Sequence, residues 1–255
     1  MINNKLKSKK YLFLIKVLSF FALFLFWEIV SLISNQNTFP SIINVLKTLL
    51  IEISDGELFF HLGMTLYRVF ISFIIAMLVG IFVGILMGNY RRFDAFLDSW
   101  NILFLNIPAL VLIILSYIWF GLTEIAAIIA VSLNKIPNVI VTIREGAKSI
   151  DRNLLQVALI YKVSKTKKFF VFYLPQLYPY IIAAARGGIA LIWKIVLVVE
   201  LLGRSNGVGF KIHEFFQFFD IKSILAYTIA FVVVMIFLEL FFLKPLENYA
   251  RKWRI

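Results

Sequence analysis

The sequence predicts an all-α integral membrane protein, on three observations. Of its 255 residues 62% are hydrophobic and 16% charged, with a mean hydropathy of +0.92. A soluble domain has about 45–50% apolar and about 25% charged residues, and so little polar surface cannot cover a water-soluble core. The apolar runs are continuous, on the ~20-residue scale of a spanning helix, rather than alternating as in an outer-membrane barrel. Finally, Lys and Arg crowd into alternate loops, the bias that orients membrane helices. The same composition excludes disorder. With no cysteine and only His61 and His213, thiolate zinc sites, iron–sulfur sites and a histidine-rich metal site are excluded, so no metal ligands are assigned. The net charge of +12 is assigned to topology, not to nucleic acid.

Six spans follow in order. The leader Lys5, Lys7, Lys9 and Lys10 precedes an apolar run over 11–33. That run exceeds the ~7–15-residue core of a signal peptide and lacks a small-x-small cleavage site, so it reads as an uncleaved span. After the polar Asn35, Asn37 and Pro40, residues 41–53 form a short amphipathic helix at the interface, beside the acidic Glu52, Asp55 and Glu57. Span two, 65–88, carries Ala76, Gly80, Gly84 and Gly88 four apart, a small face for close helix packing. Residues 89–100 read as a loop, 101–120 as span three, Gly121-Leu122-Thr123 as a tight turn and 124–143 as span four. A long polar segment, 144–179, follows, with helix-forming runs at 154–161 and 165–173; Pro175 is expected to push Leu174 out of the α region. Span five is 180–202, 203–222 a loop and span six 223–243. Seventeen Lys and Arg fall on the side of the leader, Arg91, Arg92, the long segment and the C-terminal tail, against five on the other (Lys47, Arg68, Arg204, Lys211, Lys222). Both termini and the long segment are therefore expected in the cytoplasm.

Ionisable groups within spans are costly and face a bundle interior or a water-filled cavity. In span four Lys135, Asn138 and Thr142 recur at i, i+3 and i+7, with Asn134 alongside and Pro137 between them. They fit a solute path and mutual satisfaction between packed helices equally well. Lys194 is the deep cation of span five, whereas Arg186 sits near its cytoplasmic end; Arg186 and Glu200 are ~21 Å apart on one helix and cannot pair. Gly203-Arg204-Ser205-Asn206-Gly207 matches G-x-S-x-G, with His213 and Asp220 downstream. A serine hydrolase built on Ser205, His213 and Asp220 is the alternative, but a nucleophile elbow needs a strand before the serine, and here a membrane helix precedes it.

The 144–179 segment is far longer than the ~2–8 residues that join packed helices, and a helix pair held outside the membrane makes a docking surface. It resembles the cytoplasmic coupling loop of binding-protein-dependent ABC importer permeases, whose pattern is E-A-A, three residues, G, nine residues, I-x-L-P. Here those places are Gln156-Val157-Ala158, Lys162, Phe172 and Leu174-Pro175; Ala158, Leu174 and Pro175 match in identity. Glycine at 162 would permit a tight turn, and lysine there implies an altered turn or a co-adapted ATPase surface. Phe39-Pro40-Ser41, Asp55-Gly56-Glu57, Thr65-Leu66-Tyr67-Arg68, Ile107-Pro108, Trp119-Phe120-Gly121 with Glu124, Ser149-Ile150-Asp151, Pro179-Tyr180-Ile181, Trp193, Glu200-Leu201-Leu202-Gly203, Gly207-Val208-Gly209 and Arg251-Lys252-Trp253-Arg254 are similar to the nitrate/sulfonate/taurine-type branch. The resemblance covers 38–255, leaving 1–37 as a cytoplasmic tail and first span. It implies six transmembrane helices in the type I importer permease (MetI-like) fold, in a bacterial inner membrane. It also implies a second permease subunit, usually a copy of the first, two cytoplasmic ABC ATPases on the coupling loops, and an external binding protein that delivers a small solute of sulfonate, nitrate or taurine type. The chain has no G-x-x-x-x-G-K-[ST] loop, so ATP and magnesium belong to the partner ATPase and this subunit is expected not to be an enzyme.

Overall fold

The computed structural model describes residues 2–34, 38–54 and 56–245. Asn35, Asn37, Asp55 and Arg251-Lys252-Trp253-Arg254, which the sequence singles out, lie outside the described residues. All described elements are helical: α1 (Ile2–Ile33), α2 (Ile42–Ser54), α3 (Glu57–Asn89), α4 (Arg91–Asn106), α5 (Ala109–Phe120), α6 (Glu124–Lys148), α7 (Arg152–Ile160), the single turn α8 (Lys165–Lys167), a π-helical stretch Lys168–Tyr173, α9 (Leu174–Gly203), α10 (Val208–Gln217) and α11 (Ile221–Leu238), which ends in π-helical turns at Glu239–Leu243. Among the described residues five helical runs are long and apolar enough to cross a membrane, and α4 with α5, bent by 96°, make the sixth if counted as one span.

The chain divides into two compact units, Met1–Phe59 with Ile212–Ala230, and Phe60–Lys211 with Phe231–Ile255. In the first, the end of α1 grips the turn into α2. Trp27 Nε1 donates to the Pro40 carbonyl at 3.0 Å and Ser31 Oγ to that of Phe39 at 3.1 Å. The Glu28 carboxylate accepts the Ile42 N–H at 3.3 Å, satisfying a first-turn donor of α2 that has no partner within its own helix. In the second unit the small-residue stripe of α3 lies against α6. A Cβ on Gly80 would stand 2.5 Å from Val139 Cβ, one on Gly84 2.8 Å from Ile143 Cβ, and one on Gly88 2.4 Å from Ala147 Cβ. These two backbones approach as closely as small residues permit. Towards α9, α6 buries Ala126, Ala130 and Val131 with Ile192, Val196 and Val199, while Val139 and Ile143, which also meet α3, share a cluster with Leu177 and Ala184.

Four expectations are corrected. Residues 89–100 are not a loop: Asn89 ends α3, Tyr90 is the extended N-cap and 91–100 are most of α4. Span three is broken: Ile107, the residue before Pro108, is extended at φ −72°, ψ 124°, as a following proline favours, and α5 starts afresh at Ala109. Within 203–222 lies α10. Pro175 does not expel Leu174, which is helical at φ −60°, ψ −40°. The π-helical turns of Lys168–Tyr173 carry the chain without a break into α9, where Pro175 forgoes one backbone hydrogen bond. The result is one helical run of 39 residues, Lys165–Gly203.

The turn after α7 answers the question posed by lysine at 162. Lys162 N–H donates to Leu159 O at 2.9 Å and Val163 N–H to Ala158 O at 3.0 Å, the paired bonds of a Schellman motif. The residue between must be left-handed, and Lys162 is, at φ 51°. The chain therefore makes the turn that glycine would make and carries its strain. Left-handed backbone costs a non-glycine residue roughly 1–2 kcal/mol, and the extra freedom of unfolded glycine returns about 0.4–1. Lys162→Gly is thus expected to raise stability by about 0.5–1 kcal/mol, read as a higher melting temperature of the purified protein. An unchanged or lower midpoint would show that the turn is unstrained.

Candidate functional site

The segment between α6 and α9 is built as a small platform. Asp151 opens α7 by accepting the Asn153 N–H at 2.8 Å, and its own N–H is held by Gln176 Oε1 of α9 at 2.9 Å. Leu155 packs on the cluster that includes Ile150, Tyr173 and Leu177. Of the residues matched to the coupling pattern, Ala158 is 1% exposed and faces inward. Gln156, Val157 and Lys162 are exposed, and Phe172, Leu174 and Pro175 are half-buried in the π turn and the start of α9. The exposed apolar side chains of α7 and its C-cap are Leu154, Val157, Leu159, Ile160 and Tyr161. The last three are the most exposed and lie outside the pattern, and their only sequence signal is three large apolar side chains in a row. Beneath the platform Arg144 Nη1 binds Asp98 at 2.6 Å and Lys148 Nζ binds Asp94 at 3.0 Å, tying α4 to the end of α6.

The polar stripe of span four divides. Lys135 is 5% exposed, and its Cε lies against Gly188 of α9, where a Cβ would stand 3.2 Å from it and 3.5 Å from the ring of Phe73 of α3. Among the described residues no hydrogen bond or ion pair of Lys135 is present. Asn134 is half-buried and Asn138 exposed, and Thr142 Oγ1 donates to the Asn138 carbonyl at 3.0 Å. Lys194 is exposed about 14 Å from the end of α9, its ammonium 5.5 Å from the Trp193 ring centroid. Arg186 reaches Glu239 at 3.4 Å.

At the opposite end of α6 lies a constellation that reading each span singly does not reveal. Arg68, placed by α3, is 1% exposed. It donates through Nη1 to Glu200 at 2.7 Å and to the Asn206 carbonyl at 2.9 Å, through Nε and Nη2 to Glu124 at 2.9 and 2.6 Å, and to the Asn206 side chain. Glu200, at 0% exposure, also accepts from Thr65 Oγ1 at 2.9 Å and Gly209 N–H at 2.8 Å, so it caps the start of α10. Thr65 Oγ1 in turn accepts the Val208 N–H, and His61 Nδ1 accepts the Gly207 N–H. The segment presses so close that a Cβ on Gly209 would stand 2.2 Å from the Leu197 carbonyl oxygen. Two arginines, Arg68 and Arg204, balance two glutamates, which lets so much charge be buried.

The hydrolase arrangement is not assembled. Asp220 caps α11, accepting Ser223 Oγ at 2.7 Å and its N–H at 3.3 Å, and His213 Nε2 contacts the Gln217 amide at 3.0 Å. Ser205 follows a membrane helix and precedes α10, with no strand in the described chain to form an elbow.

Comparison with known proteins agrees with this architecture. Residues 76–244 match the model of the binding-protein-dependent transport system inner membrane component. The chain is 28% identical over 230 residues to the putative aliphatic sulfonates transport permease protein SsuC of Bacillus subtilis, covering 89% of this chain and 83% of that one. It is likewise 28% identical over 199 residues to the taurine transport system permease protein TauC of Escherichia coli, covering 78% and 72%. Among solved structures, an amino acid ABC transporter superposes with a TM-score of 0.62 at 19% identity, covering 80% of this chain and 98% of that one. The MetNI methionine ABC transporter in inward-facing form gives 0.58 at 16%, covering 75% and 93%.

Proposed function

The chain belongs to the family of binding-protein-dependent transport inner membrane components, and on that premise we propose that it is the permease subunit of an ATP-driven importer for a small anionic solute of the sulfonate or taurine type. The observation that carries this reading is the platform between α6 and α9. It presents Leu159, Ile160 and Tyr161, 59%, 77% and 79% exposed, between the end of α6 and the start of α9. An apolar tip outside the membrane calls for a protein partner, here one ATPase on each of two permease copies. ATP and magnesium reside on that ATPase, and a binding protein delivers the solute at the opposite end. The seventeen-to-five distribution of Lys and Arg supports a cytoplasmic platform and cytoplasmic termini. The relatives named for sulfonates and taurine favour a sulfonate-type anion.

The solute path is assigned to Asn134, Lys135, Asn138, Thr142 and Lys194. Lys135 is a cation inside the bundle with no acid paired to it among the described residues, so its charge is free to meet a passing anion. In proteoliposomes holding the permease, its ATPase and its binding protein, ATP-dependent taurine or ethanesulfonate uptake is expected. Lys135→Gln should lower that uptake about tenfold, the loss of one charge-assisted contact, with assembly and ATPase recruitment intact. Wild-type rates in this variant would remove Lys135 from the path, and failure of the wild-type complex to move any sulfonate would overturn the substrate class.

A further inference from the structure

At the end of α6 remote from the platform, two guanidinium groups converge on one partly exposed carboxylate. Glu124 Oε1 receives Nη2 of Arg68 and Nη2 of Arg204, each at 2.6 Å. The Glu124 side chain is 33% exposed, those of Arg68 and Arg204 only 1% and 11%. From the buried side Glu200 holds Arg68 independently. Arg204 is incompletely used. Its Nη1 donates to the Leu122 carbonyl, but its Nε is buried with no hydrogen-bond partner among the described residues. Nε and Nη2 together form the edge of a guanidinium on which a carboxylate or sulfonate sits with two parallel hydrogen bonds. Glu124 fills only the Nη2 half of it. The start of α6, a helix of 25 residues, adds its positive end at the same place.

We infer that the Nε–Nη2 edge of Arg204 is an oxyanion site, occupied in the resting subunit by Glu124 and yielded to an arriving sulfonate- or carboxylate-type anion. Glu124 has an exposed side towards which to withdraw, and Arg68 keeps Glu200 when it does. The exchange leaves the charge beside the two arginines unchanged. It also supplies an acceptor to a charged N–H that is otherwise buried without one. A neutral or cationic solute offers no such exchange, so Glu124 acts as a filter as well as a cover. The importer reading is needed only to place this site on the side where solute arrives; the site itself follows from the arginine geometry.

The test titrates ethanesulfonate into the purified permease–ATPase complex, by calorimetry and by thermal shift, without transport. Glu124→Gln removes the resident competitor and is expected to bind the probe about tenfold more tightly than the wild type. Arg204→Lys keeps the charge but loses the fork, and is expected to bind about tenfold more weakly with a near-wild-type melting temperature. Equal affinities in the three proteins overturn the inference. Should Glu124→Gln fail to assemble, Arg204→Lys decides alone, and unchanged affinity there overturns it equally. Ethanesulfonate that binds as expected but is never taken up removes the sulfonate-importer reading and leaves the site standing. Uptake insensitive to both substitutions removes the site and leaves the reading.

Discussion

Arg68→Met is expected to cost the protein about 3–5 kcal/mol, the range found when one partner of a buried ion pair is removed. The methionine fills much of the volume, so the loss is electrostatic rather than a cavity. Glu200, at 0% exposure, would keep only Thr65 Oγ1 and the Gly209 N–H, and the Asn206 carbonyl would lose its donor. Those two surviving bonds place the loss towards the lower end of the range. Because Glu200 caps α10, destabilisation should spread to the 204–209 segment, which ought to become protease-sensitive before the membrane helices unfold. The double variant Arg68→Met with Glu200→Leu removes both charges. It should recover part of the lost stability, since the pair is coupled and its single-site losses do not add. A melting temperature for Arg68→Met within error of the wild type, or a double variant worse than the sum of its parts, would show that the ion pair does not hold α3 to α9.

That network marks where the sequence stops being legible. Long apolar runs, the small residues of α3 and the span count can be read locally, because each depends on one helix meeting lipid or one neighbour. The pairing of Arg68 with Glu200 joins residues 132 apart, and no periodicity connects them. The sequence shows only that Glu200 cannot reach Arg186 and therefore lacks an explanation. A single-helix view also misplaced Pro175, because the π turns that accommodate it are a property of the 39-residue run, not of the dipeptide. The α4 segment was hidden for a different reason. Its charged Asp94 and Asp98 look like loop residues until Arg144 and Lys148 of α6 are brought beside them. By contrast, the turn after α7 was legible through the spacing of Ala158, Lys162 and Leu174-Pro175. Such spacing fixes backbone turns, as the left-handed Lys162 demonstrates. It does not say which side chains face outward.

The distinction between inward and outward side chains on α7 sets the second large effect. Ala158→Asp should abolish transport, but by unseating the platform rather than by spoiling its surface. Ala158 is 1% exposed, and its carbonyl closes the Schellman turn by accepting the Val163 N–H. A carboxylate there would be buried without a partner, at a cost of several kcal/mol, and α7 would leave the π turn against which it packs. The spans do not depend on that contact, so the chain should still insert while ATPase recruitment and uptake are both lost. Ile160→Asp separates the two causes. At 77% exposure it should change stability by no more than about 0.5 kcal/mol, yet it places a charge in the middle of the apolar face with Leu159 and Tyr161. Loss of ATPase co-purification with an unaltered melting temperature in Ile160→Asp would identify that face as the docking surface. Full recruitment and uptake in this variant would move the docking surface elsewhere on the segment. The same result in Ala158→Asp would mean that coupling does not require α7 to be seated at all.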